Sequence, residues 1–476
     1  MALDGETHPQ VTPAREDEGP SGALATSPEK TCASTLTAAD IAARFNELGE
    51  SRGPDAALSY LYNLSCEKGY VHAEETARNE SWTAETTWGE LEITVNLSKP
   101  EKDPREIARL AEAEDAAKAD AGAGACQLCF ADGAESASRR GTRPDGLPAG
   151  PNLCIQVAPL DGADRPLWGL QYSPYAYFDE HCIAVSPVHE PMHIDGETLR
   201  RLVRFADLYP SYIVGSNADL PVVGGSILAH DHFQAGRHVF PIERASFEQE
   251  TVLAAWPSVE CAVVRWPMTT IRLASQDGEA LVGAASHVLE TWRAYADPEV
   301  GVLSETDGVP HNTITPVVRK SIFREPHGAY QAARYTMYLI LRCNVASTVH
   351  PLGVFHPHEH LHHIKRENIG LIEAMGLAIL PGRLERELAS VEEKVLGNLG
   401  DAATMRAALL ADETTAKHAE WALEIAKRRT DLCRASVRDV LREEVGAAFA
   451  EVLECAGVFK HDADGRQALA RFLATL

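Results

Sequence analysis

The sequence lacks the short glycine motifs that mark the commonest nucleotide- and ester-processing enzymes. No segment fits Gly-x-x-x-x-Gly-Lys-Ser/Thr, and no Gly-x-Gly-x-x-Gly follows a predicted strand. The Gly-x-Ser-x-Gly turn of serine esterases is missing as well. P-loop NTP hydrolysis, nicotinamide redox chemistry and esterase chemistry are therefore poor interpretations of this chain.

Basic residues, export signals and long apolar runs are also scarce. Against 69 Asp and Glu, 44 Lys and Arg leave a net charge of −25, which argues against nucleic acid or an anionic membrane as partner. No run approaches the ~18 apolar residues of a membrane span, and the opening carries no basic-then-apolar signal. Ten cysteines form no dense disulfide framework, so a cytoplasmic location is expected. An anionic substrate would need a locally positive or metal-assisted pocket.

The composition is that of an ordinary globular protein. With 476 residues, of which 45% are hydrophobic, the chain can form two or three domains with large cores. Residues 1–35 are rich in Pro, Ser, Thr, Gly and Glu and are predicted to be a disordered tail. We expect an N-terminal domain over 36–250, and a C-terminal domain with a helical extension over 251–476.

Hydrophobic spacing predicts the main elements. Thr37 and Asp40 form a weak capping-box signal for the first helix. Helices are predicted from Thr37 through about Leu48, and over Asp55–Leu64, Arg105–Asp120, Gly196–Phe205, Glu385–Leu396, Thr404–Leu410, Glu413–Thr430 and Val437–Cys455. Strands are predicted at Leu91–Leu97, Leu153–Val157, Ala176–Tyr177 and Cys182–Val185, within Cys261–Ile271, and at Tyr335–Val345.

The stretch Gly224–Gln234 carries the densest group of polar side chains suited to chemistry. If it is a strand, alternation places four of them on one face: Ser226, His230, His232 and Gln234. A helix would send residues two apart to nearly opposite sides, so this shared face requires a strand. Two imidazoles and a carboxamide, approached through paired glycines, are typical of a site for chemistry on an anion.

His232 is the candidate nucleophile. A neutral imidazole can attack phosphorus when one ring nitrogen is free and the other is held by a hydrogen bond. Gln234, two residues further on the same face, can donate to phosphate oxygens and stabilise the developing charge. The alternative for His232 is a core histidine with both nitrogens hydrogen-bonded.

A second candidate site involves Cys126 and Cys129, the one cysteine pair with chelating spacing. Tetrahedral zinc needs two further ligands, and His189 and His230 are the candidates. The alternative is a pair of reduced cysteines without metal. A thioredoxin-like role is less favoured, because no βαβ pattern surrounds the pair.

A further histidine run lies between His356 and His363. Its even positions would line one face of a strand, as in the first run, and each run follows a strand-rich block. The two runs therefore suggest a duplicated unit. Metal binding, contact with a sugar substrate and a plain polar strand are all open for the second run.

These residues resemble the type-2 branch of the galactose-1-phosphate uridylyltransferases, members of the histidine-triad superfamily. The resemblance covers about residues 90 to 460, where long strings recur in the same order. The strings lie at residues 96–104, 171–175, 180–182, 215–221, 224–228, 230–234, 310–316, 356–360, 364–370 and 456–460.

The resemblance implies an α+β fold with duplicated histidine-triad-like antiparallel sheet domains and added N- and C-terminal helices. It also implies an enzyme of galactose metabolism working by double displacement. His232 would attack the α-phosphorus of UDP-glucose, release glucose 1-phosphate and hold UMP covalently. Galactose 1-phosphate would then accept the uridylyl group to give UDP-galactose. A homodimer is one expected assembly.

The resemblance also implies roles for individual residues. Gln234 would hold the phosphate, and Asn217 would contact the nucleotide, with Ser226 and Asn152 as further substrate contacts. The implied zinc ligands are Cys126, Cys129, His189 and His230. Superfamily hydrolases often have a third histidine in place of Gln234, so this residue favours transfer over hydrolysis.

One segment departs from the family pattern Pro-Ala-Arg-x-Asn-x-Arg. Residues 148–154 contain neither arginine, and the candidates to replace them lie in the preceding loop: Arg139, Arg140 and Arg143. Two other functions remain as alternatives. One is a histidine-triad nucleotide phosphorylase or hydrolase with the same nucleophile; the other is a non-enzymatic zinc-binding protein.

Overall fold

A computed structural model describes residues 36–97, 126, 128–130, 153–225, 227–324 and 331–476. Its helices are α1 Ala38–Arg52, α2 Pro54–Glu67, α3 Ala73–Thr76, α4 Gly196–Leu208, α5 Gly278–Ala294, α6 Leu371–Ala374, α7 Arg383–Gly397, α8 Ala402–Leu410, α9 Glu413–Ala416, α10 Ala419–Arg428, α11 Val437–Ala456 and α12 Ala463–Leu473. Its strands are β1 Glu80–Thr86, β2 Gly89–Asn96, β3 Ile155–Ala158, β4 Trp168–Tyr172, β5 Cys182–Val185, β6 Ile213–Gly215, β7 His232–Gly236, β8 Phe247–Thr251, β9 Glu260–Val264, β10 Thr270–Ser275, β11 Glu305–Thr306, β12 Val309–Pro310, β13 Asn312–Arg324, β14 Gln331–Cys343 and β15 Leu377–Pro381.

The first helix begins as its sequence predicts. Thr37 and Asp40 form a capping box, in which each side chain accepts from the other residue's backbone N–H. The helix then buries Ile41, Phe45 and Leu48, at the spacing of one helical face. Helix α4 likewise buries its predicted apolar residues and packs against α5 and β13.

Ten strands form one antiparallel sheet, in the order β3-β4-β5-β7-β6-β13-β14-β10-β9-β8. The sheet has two halves of five strands each, and the strands of both halves follow the same order when they are counted from the outer edge of the sheet inward. In each half three strands of this sheet are followed by a helix and two more strands of the same sheet, and the fifth strand inserts between the third and the fourth. The small pair β11-β12 lies between α5 and β13 and forms a separate sheet. The fourth strands, β6 and β13, join the halves through pairs such as Val317↔Gly215. The predicted α+β fold with a duplicated antiparallel unit is confirmed.

The predicted basis for that duplication is wrong, because the second histidine run is not a strand. It follows β14 and contains only a short 3₁₀ turn, Glu359–Leu361. The first run also differs from its prediction, since β7 begins at His232 and the described residues of Gly224–Asp231 are loop. The unit repeats in strand order and not in histidine content.

One other strand prediction is wrong, and one strand was not predicted. Ala176–Tyr177 is a turn with Ala176 at φ 39°, and the strand of this region is β4, which ends at Tyr172. The chain after about Gly370 is mostly helical as predicted, but it also contains β15, which pairs in parallel with β2. All five β15 residues are buried. A short, continuously apolar run shows neither the helical nor the strand period, so the sequence pattern did not predict this strand.

Two predictions fall on segments outside the described residues: the disordered tail over 1–35 and the helix at Arg105–Asp120. Within the described ranges, no helix combines the length and apolar character needed to cross a membrane.

Candidate active site and metal centre

Strand pairing places the histidine motif inside the first half of the sheet. β7 lies between β5 and β6, with His232 opposite Val185 and Gln234 opposite Gly215. His232 and Gln234 are two residues apart in a strand and so share one face. Phe233 points to the other face, where its ring stacks on buried Trp168 at 4.9 Å. The core thus fixes which face carries the two polar side chains.

The imidazole of His232 is held in one tautomer. Its Nδ1–H donates to the backbone carbonyl of His230 at 2.8 Å, and no hydrogen bond from the described residues reaches its Nε2. His232 is 6% exposed, and this burial lowers its pKa to about 4 despite the hydrogen bond to His230. The ring is therefore neutral at neutral pH, with the Nε2 lone pair available.

The carboxamide of Gln234 is oriented by a residue that was assigned no role from sequence. His181 is the residue just before β5 and is 2% exposed. It donates its Nε2–H to Gln234 Oε1 at 3.1 Å. Burial lowers the pKa of His181 to about 4, so the ring is neutral. Since Oε1 is used in this bond, the NH₂ group of Gln234 is the end left for a ligand oxygen. The string Glu180-His181-Cys182 is part of the family resemblance, but the sequence does not indicate that His181 contacts Gln234.

His181 itself is packed rigidly. Its ring stacks on Tyr177 at 5.3 Å and contacts Phe178 at 4.6 Å. Its Nδ1 is buried and has no partner among the described residues. This agrees with a tautomer in which Nε2 carries the proton and Nδ1 carries none. The aromatic neighbours keep the ring from rotating away from Gln234.

The four predicted metal ligands come together. One ligand atom from each lies within 4.8 Å of all the others in the group Cys126, Cys129, His189 and His230. Sγ of Cys126 is 3.4 Å from Nδ1 of His230, and Sγ of Cys129 is 3.2 Å from Nδ1 of His189. Tetrahedral zinc with ordinary bond lengths would separate sulfur and nitrogen by about 3.5 Å. The donor set therefore fits such an ion.

Hydrogen bonds to the ligand residues prepare this cluster for metal binding. His230 donates Nε2–H to the carbonyl of Ser186 at 2.9 Å, which leaves Nδ1 unprotonated toward the sulfurs. Burial alone would raise the pKa of Cys126, but hydrogen bonds that stabilise its thiolate, among them those from the backbone N–H groups of Leu128 and Cys129, lower it to about 6. Backbone bonds from Ser186 N to Asp231 O (3.0 Å) and from Asp231 N to Glu190 O (2.8 Å) join the two histidine segments.

The paired glycines before the motif allow a close backbone approach. A Cβ on Gly224 would lie 2.3 Å from the carbonyl oxygen of Ala218, and one on Gly225 would lie 2.5 Å from Nδ2 of Asn217. Asn217 is 4% exposed, and its Oδ1 accepts from the backbone N–H of Leu371 at 2.9 Å. Asn217 thus connects the motif's loop to the C-terminal half.

The remaining predicted residues separate into two groups. Ser226 and Asn152 lie outside the described residues, as do Arg139, Arg140 and Arg143. In the part of the chain that is described, the Cys–His cluster above is the one group with metal-ligand geometry, so the run His356–His363 forms no such group there.

Several known proteins with similar sequences are galactose-1-phosphate uridylyltransferases. Residues 7–190 match the family described as galactose-1-phosphate uridyl transferase, N-terminal domain, and residues 205–422 match its C-terminal domain. Galactose-1-phosphate uridylyltransferase from Halalkalibacterium halodurans is 43% identical over 432 residues, covering 91% of this chain and 79% of that protein. The Bacillus subtilis protein of the same name is 41% identical over 438 residues, covering 92% and 79%.

Among solved structures, yeast Ap4A phosphorylase Apa2 aligns with a TM-score of 0.38 at 10% identity, covering 74% of this chain and 92% of that one. A likeness this weak distinguishes no function.

Proposed function

The chain belongs to the galactose-1-phosphate uridylyltransferase family, and we propose that His232 is the residue that carries the uridylyl group. The chain is accordingly a transferase of galactose metabolism. Its substrates are proposed to be UDP-glucose and galactose 1-phosphate. The observation that supports this role is the tautomer of His232, with Nδ1–H bonded to the carbonyl of His230.

In the first step the Nε2 lone pair of His232 attacks the α-phosphorus of UDP-glucose. The bond from that phosphorus to the bridging oxygen breaks, and its electron pair leaves with glucose 1-phosphate. In the second step a phosphate oxygen of galactose 1-phosphate attacks the same phosphorus, and the P–N electron pair returns to Nε2. No proton moves in either step, because Nδ1–H stays bonded to the His230 carbonyl throughout.

Gln234 stabilises the charge that develops on the phosphate. Its NH₂ group can donate to an equatorial oxygen, because His181 already occupies its Oε1. A neutral donor on the same face as the nucleophile suits an anionic transition state. Asn217, with Ser226 and Asn152, is proposed to bind the nucleotide.

We propose zinc as the metal of Cys126, Cys129, His189 and His230. Two thiolates and two neutral imidazoles are the donor set of closed structural zinc sites. The bound ion would cross-link these segments and provide no open coordination position for substrate. The protein's own contribution is the position of the His230 backbone, whose carbonyl orients His232.

The covalent intermediate is the test. Incubating the enzyme with UDP-glucose and no acceptor is expected to add one uridylyl group at His232, measured by intact mass and peptide mapping at neutral to alkaline pH. A His232→Gln variant should stay unlabelled. A matched control is His287→Ala on α5, whose ring bonds to the Leu476 carbonyl in the other half of the fold and should not affect labelling. An unchanged wild-type mass would exclude this mechanism.

The acceptor separates transfer from the alternative histidine-triad reactions. Labelled enzyme is expected to lose its UMP to galactose 1-phosphate and to give UDP-galactose. Release of free UMP in water, or faster release with inorganic phosphate than with the sugar phosphate, would instead identify a hydrolase or phosphorylase. A protein that is never labelled but keeps its metal would be a zinc-binding protein without activity.

Three broader expectations remain proposals. A cytoplasmic location is supported by the nine described cysteines, which form no disulfide bond with one another. Two domains over 36–250 and 251–476 are supported by the repeated strand order, although the boundary falls inside β8. A homodimer is expected from the resemblance alone.

A further inference from the structure

The two residues on either side of His232 are each held by a side chain from another element. The carboxylate of Asp231 accepts from Nη1 of Arg201, on α4, at 3.3 Å. The ring of Phe233 stacks on that of Trp168, on β4, at 4.9 Å. Asp231 and Phe233 are both buried, so both contacts lie inside the fold. The chain before and after the nucleophile is thus attached to elements outside its own strand.

Asp161, in the loop between β3 and β4, connects these two partners to each other. One of its carboxylate oxygens accepts from Nε of Arg201, and the other accepts from the indole N–H of Trp168 at 2.8 Å. The guanidinium group of Arg201 also lies 5.7 Å from the centre of the Trp168 ring, within the range of a cation–π attraction. Because the guanidinium group is planar, the contacts with Asp161 and Trp168 fix the direction in which its Nη1 points at Asp231.

The position of Asp231 affects the orientation of the His232 ring. The peptide between His230 and Asp231 holds the ring, because its carbonyl accepts from Nδ1–H of His232 at 2.8 Å. The N–H of the same peptide belongs to Asp231 and donates to the carbonyl of Glu190 at 2.8 Å. A shift of Asp231 would therefore turn this carbonyl and, with it, the Nε2 lone pair of His232. Attack on phosphorus requires that lone pair to be aligned with the bond that breaks.

Stability alone does not explain an ion pair at this position. The side chains of Arg201 and Asp231 are 19% and 4% exposed, so both charges have lost most of their water. Well-packed apolar residues in place of such a pair often give a protein of equal or greater stability. The pair does hold its two groups in one arrangement, since moving either one leaves the other charge buried without its partner. A role in fixing geometry therefore suits the pair better than a role in stability.

We propose that Arg201 is a positioning residue for uridylyl transfer, which acts through Asp231 on the orientation of His232. This inference rests on the proposed role of His232 as the nucleophile. Arg201 makes no contact with the reacting atoms in this role. Its loss is therefore expected to slow the chemical step and to change the binding of UDP-glucose much less.

The rate of His232 labelling tests this role on the full-length, metal-loaded enzyme. The rate constant for uridylylation is measured in single turnovers at a series of UDP-glucose concentrations without acceptor. Arg201→Ala is expected to lower the limiting rate by about ten- to a hundredfold. The half-saturating concentration should change by less than about threefold, as for an interaction that matters in the transition state. Asp231→Asn, which keeps an oxygen that can accept from Arg201, should retain more of the rate than Asp231→Ala.

The matched control is Arg200→Ala, at the preceding residue of α4. Arg200 pairs with Glu197 and Glu279, whose side chains are 52% and 72% exposed, and it makes no printed contact with the motif's network of Asp161, Trp168 and Asp231. This variant should label His232 at the wild-type rate.

Melting temperature separates positioning from support of the fold. Arg201→Ala leaves the Asp231 carboxylate buried without this cation, so its melting temperature should fall. The double variant Arg201→Ala/Asp231→Ala removes that carboxylate and should regain part of the melting temperature. Its limiting rate should nevertheless stay about as low as that of the slower single variant, because both changes break the same connection. A rate that recovers together with stability would show that Arg201 only supports the fold, and would overturn the proposal.

Other outcomes would overturn the proposal in distinguishable ways. Metal content is measured in each variant, because Asp231 adjoins His230; a loss of rate in proportion to lost metal would place the effect at the metal centre. Labelling of Arg201→Ala as fast as the wild type would overturn this inference and leave the role of His232 intact. A wild type that is not labelled at His232 would overturn both.

Discussion

At the residue scale, the orientation of single side chains decides the chemistry. His230 and His232 are two residues apart in the sequence, yet their rings have opposite roles. His230 points Nδ1 to the sulfurs and donates from Nε2, whereas His232 donates from Nδ1 and leaves Nε2 free. Each tautomer is set by a backbone carbonyl, from Ser186 and from His230.

His181→Ala is expected to lower kcat by about ten- to a hundredfold, since Gln234 would lose the bond that orients its NH₂ group. KM for UDP-glucose should change much less. His181→Gln, which restores a donor, should recover part of the rate. Steady-state kinetics with a melting curve for each variant measures this, so that loss of fold is separated from loss of orientation.

The matched control for His181 is His238→Ala. His238 also contacts the ring of Phe178, at 5.7 Å, but it bonds to Glu92 and not to Gln234. It should keep kcat close to that of the wild type. An equal fall of kcat in both variants would show that general packing, and not the orientation of Gln234, explains the effect.

Cys126→Ser is expected to reduce bound zinc from one ion per chain to well below stoichiometry and to lower both melting temperature and kcat. The kinetic loss would follow from movement of the His230 carbonyl. Elemental analysis with activity measurements checks this. Cys433→Ser, which changes an exposed thiol that contacts the Ser436 hydroxyl, is the control and should change neither quantity. A fully active, metal-free wild type would show that the metal is not required.

At the element scale, one close contact positions the long helix α11 against the small sheet β1-β2-β15. A Cβ on Gly446 would lie 2.1 Å from the Cβ of Ala84 on β1. The helix and the strand can approach this closely only because Gly446 has no side chain. Trp82 of the same strand donates from its indole nitrogen to the carbonyl of Arg442, which fixes the register of this contact.

Gly446→Ala is therefore expected to destabilise the protein by about 1–3 kcal/mol through overpacking. In an open helix the same change would stabilise by up to about 1 kcal/mol. The control is Gly397→Ala at the end of α7, where a Cβ would meet nothing within 4 Å. Denaturant unfolding measures both. Adding Ala84→Gly to Gly446→Ala should recover most of the loss, and failure to do so would reject this contact as the cause.

At the scale of the whole molecule, we expect one buried carboxylate, Glu387, to contribute to the dependence of stability on pH. Burial alone would raise the pKa of Glu387, but hydrogen bonds from His418, Lys417 and Arg383 lower it to about 2. The folded-state pKa is thus below that of the unfolded chain, which binds more protons in this range. The stabilisation is present above about pH 4.5 and is lost as the pH falls toward 2.

Unfolding free energies measured between pH 7 and pH 2 test this contribution. The wild type should lose up to about 3 kcal/mol from Glu387 in that window, from about 1.4 kcal/mol per pKa unit. Glu387→Gln should be less stable at pH 7 and show a shallower acid slope. Glu385→Gln, an exposed carboxylate on the same helix, should leave the slope unchanged. Parallel slopes for wild type and Glu387→Gln would refute the assignment.

Local sequence determined much of this protein. The capping box of Thr37 and Asp40, the apolar spacing of α4 and the helices α7, α8 and α11 all concern residues within a few positions of each other, so short-range rules predicted them. The predicted helix Glu413–Thr430 is instead two helices, α9 and α10. The Cys–His ligand set was also predicted, because the chemistry of metal binding restricts which residues can serve.

Tertiary structure decided what depends on residues far apart in the chain. The bond from His181 to Gln234 joins the residue before β5 to β7, and the parallel pairing of β15 with β2 joins segments almost 300 residues apart. The duplication is seen in the order of the strands in the sheet, and the spacing of the histidines in the sequence does not predict it. The carbonyl that orients His232 is only two residues away, but it points at the ring because β7 starts at His232 and the chain before it is loop. The direction of a hydrogen bond depends on such backbone geometry, so it cannot be predicted from the pattern of residue types.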